Sequence, residues 1–267
     1  MFMGGVICFS DVAAQENVQK QKSSSTVMMR VEGGYRYISG YGIPRHAASA
    51  PEALGIKSKP YSFRVNSKPK AARNVTEVER GAFFGVSLDG VPFKIDMPSS
   101  WKQKPEWTSY GMRHDSNGGL VQKDDSYVYS AIPKALVSKD LSHVGYAADG
   151  FPVFVSKDNK FKSSYRLKEG FRPTGVSGPG GEYDGSYFAD YQYVKNSGAL
   201  DACNGMTVKK KYYIYVLTEN FPRMPLCWSG TPDESFLKLV EKDEPVVKTD
   251  KQDGDSHYQR SLKRRGR

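Results

Sequence analysis

One phrase occurs twice in this chain. Gly85-Val-Ser-Leu-Asp-Gly-Val-Pro-Phe returns sixty positions later as Gly145-Tyr-Ala-Ala-Asp-Gly-Phe-Pro-Val. Each copy opens on Gly, holds Asp-Gly at its centre and places Pro two residues beyond that Gly. Asp-Gly between apolar runs is a strong hairpin signal, because Asp tolerates a left-handed backbone and Gly adopts one without a Cβ clash. Each copy therefore reads as strand, tight turn, strand. Pro92 and Pro152 lack a backbone donor, so each belongs at a strand start or on an edge.

A chain of 267 residues with 26 Gly, 15 Pro and 17 Tyr is long enough to bury a core and rich in turn formers. Its pattern predicts a mainly β, single-domain antiparallel sheet or sandwich-like fold with long Gly/Pro/Tyr-rich loops and few short helices. No apolar run approaches the roughly 18 residues of a spanning helix. The net charge of +10 raises nucleic-acid binding, but Arg260, Lys263, Arg264, Arg265 and Arg267 concentrate five cations in the tail. Lys209-Lys210-Lys211 is the one compact basic run in the body. That distribution argues against a nucleic-acid partner and for a solvated basic end.

Residues 1–14 read as a truncated secretory leader, with small residues at Ala13 and Ala14 before Gln15 but no Lys or Arg ahead of Lys20. Residues 15–30 read as a disordered segment, 31–240 as the folded domain and 241–267 as a charged disordered tail. If a leader carrying Cys8 is removed, Cys203 and Cys227 remain. In an exported protein such a pair suggests one disulfide; in a cytosolic one, two buried thiols.

Within the domain, Tyr61-Ser-Phe-Arg-Val alternates as a strand should. Ser126 to Tyr129, Ser163 to Lys168, Tyr187 to Val194 and Lys211 to Leu217 read as further strands. Gly42-Ile-Pro-Arg-His46 reads as a turn, and the Gly/Pro-rich stretch 170–186 as an ordered binding loop. Asn74-Val-Thr76 is a glycosylation sequon, relevant only in a eukaryotic secretory pathway. Thr231-Pro-Asp-Glu-Ser-Phe offers an N-cap with Pro at the first helical position.

Chemistry-bearing residues are sparse. The four histidines, His46, His114, His143 and His257, show no zinc spacing. His143 either faces a cleft or lies on a strand edge, and Arg113-His-Asp-Ser-Asn117 is either a site or a turn. Asp184, Asp190, Asp201 and Asn204 are hard oxygen donors that suit calcium, without EF-hand spacing; solvated loop acids are the competing reading. No phosphate loop and no Gly-x-Ser-x-Gly elbow is present.

Taken in order, eight phrases resemble the YHYH domain family. They are Gly42-Ile-Pro-Arg-His46, the two repeated phrases, Ser164-Tyr-Arg-Leu-Lys, Pro179-Gly-Gly-Glu-Tyr-Asp-Gly, Asp190-Tyr-Gln-Tyr, Leu200-Asp-Ala-Cys-Asn-Gly205 and Phe221-Pro…Cys-Trp-Ser-Gly-Thr-Pro-Asp. The resemblance spans roughly 35–237. It implies export to an extracytoplasmic compartment, periplasmic or secreted, and a disulfide between Cys203 and Cys227. This chain departs from the family at its signature. Where Tyr-His-Tyr-His is expected it reads Tyr127-Val128-Tyr129-Ser130, and Leu120 stands where relatives tend to show a further His. Two imidazoles at alternate strand positions share one face, a natural metal or acid–base pair; Val128, Ser130 and Leu120 can supply neither.

Two functions follow from this reading. The first is a non-catalytic protein binding a small molecule, glycan or protein through exposed tyrosines in the segments 35–46, 127–133 and 177–193. Its binding candidates are Tyr127, Tyr129, His143, Asp149, Tyr183, Asp184 and Asp190. The alternative is a metal-dependent or acid–base enzyme, hydrolase-like, using the surviving Asp, Tyr and His residues. Calcium stabilisation is compatible with the first.

Overall fold

In a computed structural model the described residues are 27–47, 54–111, 114–156 and 160–237. The expectations for the leader, Cys8, His257 and the tail at 241–267 lie outside them. The strands are β1 (Met28–Glu32), β2 (Tyr35–Gly40), β3 (Tyr61–Asn66), β4 (Thr76–Glu77), β5 (Phe83–Ser87) and β6 (Pro92–Lys94). There follow β7 (Gly119–Val121), β8 (Tyr127–Tyr129), β9 (Leu141–Ala147), β10 (Pro152–Ser156) and β11 (Tyr165–Leu167). The last are β12 (Tyr191–Tyr193), β13 (Gly205–Val208), β14 (Tyr212–Leu217) and β15 (Cys227–Trp228). Helical residues occur only as short 3-10 turns among the described residues, so the mainly β expectation holds. β1 begins at Met28, inside the stretch read as disordered, because Met28 and Met29 follow the polar run and pair with Ser39 and Ile38 of β2.

The eight-stranded sheet runs β13-β14-β10-β9-β5-β6-β8-β7. It is mixed rather than purely antiparallel: β6 runs parallel to β8 and β10 parallel to β14. From either end inward the order is an antiparallel hairpin, a parallel seam, a second antiparallel hairpin, and then the shared antiparallel pair β5·β9. The sheet is thus a two-fold repeat. Phe93 pairs with Tyr129 across one seam, and Val153 with Tyr215 across the other. Even the register shift recurs, between Phe83 and Gly85 in one half and between Val153 and Phe154 in the other.

The repeated phrase sits on the axis. Gly85 pairs with Ala147 and Ser87 with Gly145. A Cβ on Gly85 would stand 2.4 Å from the Tyr146 carbonyl oxygen; one on Gly145 would stand 2.3 Å from that of Val86. Both leading glycines are therefore demanded by the same close approach, seen from its two sides. In the turns only Gly90 (φ 77°) and Gly150 (φ 91°) take up the left-handed conformation, while Asp89 and Asp149 keep negative φ. Gly90 N donates to Ser87 O and Gly150 N to Ala147 O, as in three-residue hairpin loops ending in a glycine bulge. The Asp is required for its carboxylate instead. Pro92 and Pro152 each open a strand, as expected.

The three-stranded sheet lays the inner face of β3 on this larger sheet. Tyr61, Phe63 and Val65 alternate inward; Phe63 stacks on Phe236 at 4.4 Å and meets Phe83 edge-on at 6.3 Å. Burying each such side chain contributes about 1.5–3 kcal/mol. The helix expected from Thr231 is reduced to a 3-10 turn, Glu234–Phe236, capped by Asp233, whose Oδ1 accepts from Ser235 N. Arg64 Nε holds Asp233 Oδ2 at 2.8 Å and Phe236 is drawn fully into the core. Likewise only Tyr191–Tyr193 of the strand expected over 187–194 forms a strand, after a 3-10 turn at Phe188–Asp190, while Tyr187 makes an isolated bridge to Ser109. Cys203 and Cys227 stand at disulfide-bonding distance, their Cα atoms 4.9 Å apart. No helix of the described residues is long and apolar enough to cross a membrane.

Candidate functional site

The Tyr-x-Tyr strand β8 has two faces with opposite duties. Tyr127 and Tyr129 point into the core, 1% and 0% exposed, which corrects the expectation that they form a recognition surface. The cause is the phenol tip: each hydroxyl finds a carboxylate, that of Asp89 buried and that of Asp115 at the surface. Tyr127 donates to Asp115 Oδ2 at 2.7 Å and Tyr129 to Asp89 Oδ2 at 3.1 Å. Burial, reinforced by those carboxylates, pushes both phenols above their ordinary pKa, so they remain donors.

Asp89 is the Asp of the first repeated phrase. It also receives the Ser87 hydroxyl and the backbone N–H of Arg45, at 2.9 Å. Asp115 closes a turn through the N–H groups of Asn117 and Gly119, so the described part of that expected segment, residues 114–117, is both a turn and part of a network. His46 completes it. Its ring stands edge-on to Tyr127 at 5.6 Å, Nε2 lies 3.9 Å from Asp115 Oδ2, and neither ring nitrogen has a hydrogen-bond partner.

The second half of the sheet builds the same network from the same residue types. Tyr215 donates to Asp149 Oδ2 at 2.6 Å and Tyr213 to Asp201 Oδ2 at 2.9 Å. Asp201 closes its turn through Cys203 N and Gly205 N, as Asp115 does through Asn117 and Gly119. Burial raises the Asp149 pKa, opposed by hydrogen bonds from Tyr215, Gly230 and Phe151. Asp149 and Asp201 are thus structural acceptors.

On the other face of β8, Val128 stands opposite Leu120 of β7. The two residues are cross-strand neighbours, and both line a cavity of about 370 Å³. Phe83 and Ile95 add to its apolar lining, and Lys59, Arg80, Lys94, Gln122, Asp96 and Asp124 supply its polar groups. Lys94 Nζ donates to Gln122 Oε1 at 3.0 Å. Burial pushes the Asp124 carboxyl up, but hydrogen bonds from Lys59 and Ser126 outweigh it and hold the pKa at about 2. Such a volume is in the range of small-molecule sites, ~300–1,000 Å³.

The two-fold supplies an internal comparison. Matching pairings set Lys94 against Phe154, Gln122 against Val208, Leu120 against Met206 and Val128 against Ile214. In the second half those four side chains belong to one apolar cluster with Leu200, Val216 and Phe161. The seam that is filled with hydrocarbon on one side is lined by a cation and an amide on the other.

The remaining expected site residues lie in separate networks. His143 takes the place of Phe83 in the second half; its Nε2 lies 2.8 Å from Gly145 O, and its ring meets Tyr146 and Phe154. Burial lowers its pKa below 6.5. Asp184 and Asp190 both bind the Arg172 guanidinium, and Asp190, fully buried, also accepts from Gly185 N and Tyr187 N. Hydrogen bonds from Ser186, then Arg172, hold the Asp184 pKa at about 2. Arg172 thus supplies the cation for two of the four expected calcium donors, and Asn204 Nδ2 turns to Val216 O and Thr218. No group of three or more His, Cys, Asp or Glu among the described residues could hold a metal ion. Tyr183 is half-buried, with Lys168 Nζ 5.4 Å from its ring centroid.

Sequence reasoning passes over Lys94 and Gln122, reads Asp89 only as a turn residue and leaves Asp115 between site and turn. One signal was available: Asp115, Gly119, Lys123, Tyr127 and Tyr129 recur as Asp201, Gly205, Lys209, Tyr213 and Tyr215 at a constant offset of 86. Compared with known proteins, residues 62–230 match a family model described as YHYH protein. No curated protein and no solved structure matches the chain.

Proposed function

The chain belongs to the YHYH protein family, and from that premise we propose that it is a non-catalytic, exported ligand-binding domain whose site is the cavity beside Val128 and Leu120. One observation carries the reading: Lys94 and Gln122 line an open seam where Phe154 and Val208 fill the equivalent one. Polar side chains at a seam that tolerates pure hydrocarbon add nothing to the core. They are explained by something that enters the cavity. The resemblance places Val128 and Ser130 at the signature positions and Leu120 at a further one, and none of the three side chains can act as an acid or base, which supports the non-catalytic reading. Export is supported by the small residues before Gln15 and by the Cys203–Cys227 pair.

A fragment screen read by chemical-shift changes tests this proposal. Hits are expected to perturb residues 94, 120, 122 and 128 together. Hits that gather elsewhere, or a screen in which nothing binds, would sink it.

A second reading, acid–base catalysis, is favoured by the unpartnered ring of His46 beside Asp115 and Tyr127. Turnover of any substrate that vanishes in His46→Gln, with the melting temperature unchanged, would place that reading first.

A further inference from the structure

We propose that the cavity beside Val128 selects a small anionic amphiphile, a ligand with a carboxylate or phosphate head and a hydrocarbon body. This rests on the ligand-binding reading above and adds the chemistry of the ligand. The charges around the cavity are Lys59, Arg80, Lys94 and Lys123 against Asp96 and Asp124. That is four cations against two carboxylates, an excess of positive charge around the cavity. A concave, partly apolar wall concentrates the field of such a set and draws anions in.

Position matters as much as sign. Lys94 is half-buried on β6, next to the seam, so its charge acts through less water than a surface lysine's would. Gln122 fixes its ammonium at 3.0 Å. The floor that would take the hydrocarbon is Val128, Leu120, Phe83 and Ile95. The two-fold again gives the comparison, since Phe154 stands where Lys94 does and Val208 where Gln122 does. The cation at this depth is peculiar to the open half. At about 370 Å³ the space suits a small molecule rather than a folded segment of a partner.

Isothermal titration of the full chain with four eight-carbon probes tests the proposal: octanoate, octyl phosphate, 1-octanol and octylammonium. At least one anion is expected to bind tenfold or more tightly than octanol, and octylammonium not at all. Tighter octanoate assigns a carboxylate head, and tighter octyl phosphate a phosphate. Anion affinity should fall as salt rises, drop about tenfold in Lys94→Met and persist in Lys94→Arg, as expected for a charge-assisted contact. Octanol or octylammonium binding as tightly as the anions would overturn the anionic class while leaving the cavity a binding site. So would anion binding indifferent to salt, a result readable on the unmutated protein if Lys94→Met fails to fold. Fragments that perturb residues 94, 120, 122 and 128 while no probe binds would also overturn the class alone. No binding by either fragments or probes would overturn both readings.

Discussion

Gly145→Ala tests the two-fold at its axis. The added methyl would lie 2.3 Å from Val86 O, 2.7 Å from Phe93 Cε2 and 2.8 Å from the Ser87 Cα. A carbon approaches a carbonyl oxygen no closer than about 3.3 Å, so the β5·β9 pair must open by about 1 Å at the centre of the sheet. Two of those three atoms are backbone and cannot swing aside. The cost belongs at the upper end of the over-packing range, about 3 kcal/mol. With a urea slope of about 2 kcal/mol/M, the midpoint falls by about 1.5 M. Gly85→Ala meets the mirror contact, 2.4 Å from Tyr146 O, and should cost the same within about 0.5 kcal/mol, the scatter of comparable sites. Gly170→Ala is the control. Nothing lies within 4 Å of its Cβ and only its φ of 88° is strained, a cost of about 1 kcal/mol. Equilibrium urea unfolding, followed by tryptophan fluorescence, reads all three. If Gly145→Ala costs no more than Gly170→Ala, or if the two axial substitutions differ by several-fold, the reciprocal packing is wrong.

Four further outcomes are expected. Reducing the Cys203–Cys227 pair, separated by 24 residues, should cost about 3 kcal/mol in the chain-entropy account; a melt unchanged by reductant would contradict it. Tyr215→Phe removes a hydroxyl donor from buried Asp149 and should cost about 1–3 kcal/mol, with Tyr129→Phe costing less because its bond to Asp89 is longer, 3.1 against 2.6 Å. His143 has a folded pKa lowered by burial, so as pH falls below 6.5 the unfolded chain takes up a proton that the native state refuses. Stability then declines until the folded pKa is reached; urea midpoints between pH 7.5 and 5 should show this slope in the natural chain and lose it in His143→Phe. Lys94→Phe, which copies Phe154, should raise stability by about 1 kcal/mol through burial while abolishing ligand binding, opposite signs expected of a functional polar group.

The first hairpin pair was legible because Asp-Gly turns are local: everything needed lies within a few residues. The Tyr-x-Tyr hairpins were readable in principle, yet their offset of 86 differs from the offset of 60 in the first pair, so no single repeat length links them. The cavity was not legible. It depends on Phe93 meeting Tyr129 across a parallel seam, a pairing between strands far apart in the chain that no local pattern encodes. The tyrosines were misplaced for a related reason. A phenol's polar tip argues for water until a buried acceptor is known, and the acceptor of Tyr129, Asp89, reads from sequence only as a turn residue. Arg172 was hidden in the same way, inside a Gly/Pro-rich stretch, although it decides the surroundings of Asp184 and Asp190.

The antiparallel β5·β9 junction is the contact by which two identical four-stranded units would dimerise. In such a dimer every substitution is made twice, so one seam could not be sealed while the other was kept open. Joining the units in a single polypeptide lifts that constraint. One seam can then serve as a keel of hydrocarbon, with Phe154 and Ile214, and carry the stability that Lys94 and Gln122 forgo at the other. Symmetry in the backbone is what allows asymmetry in the side chains.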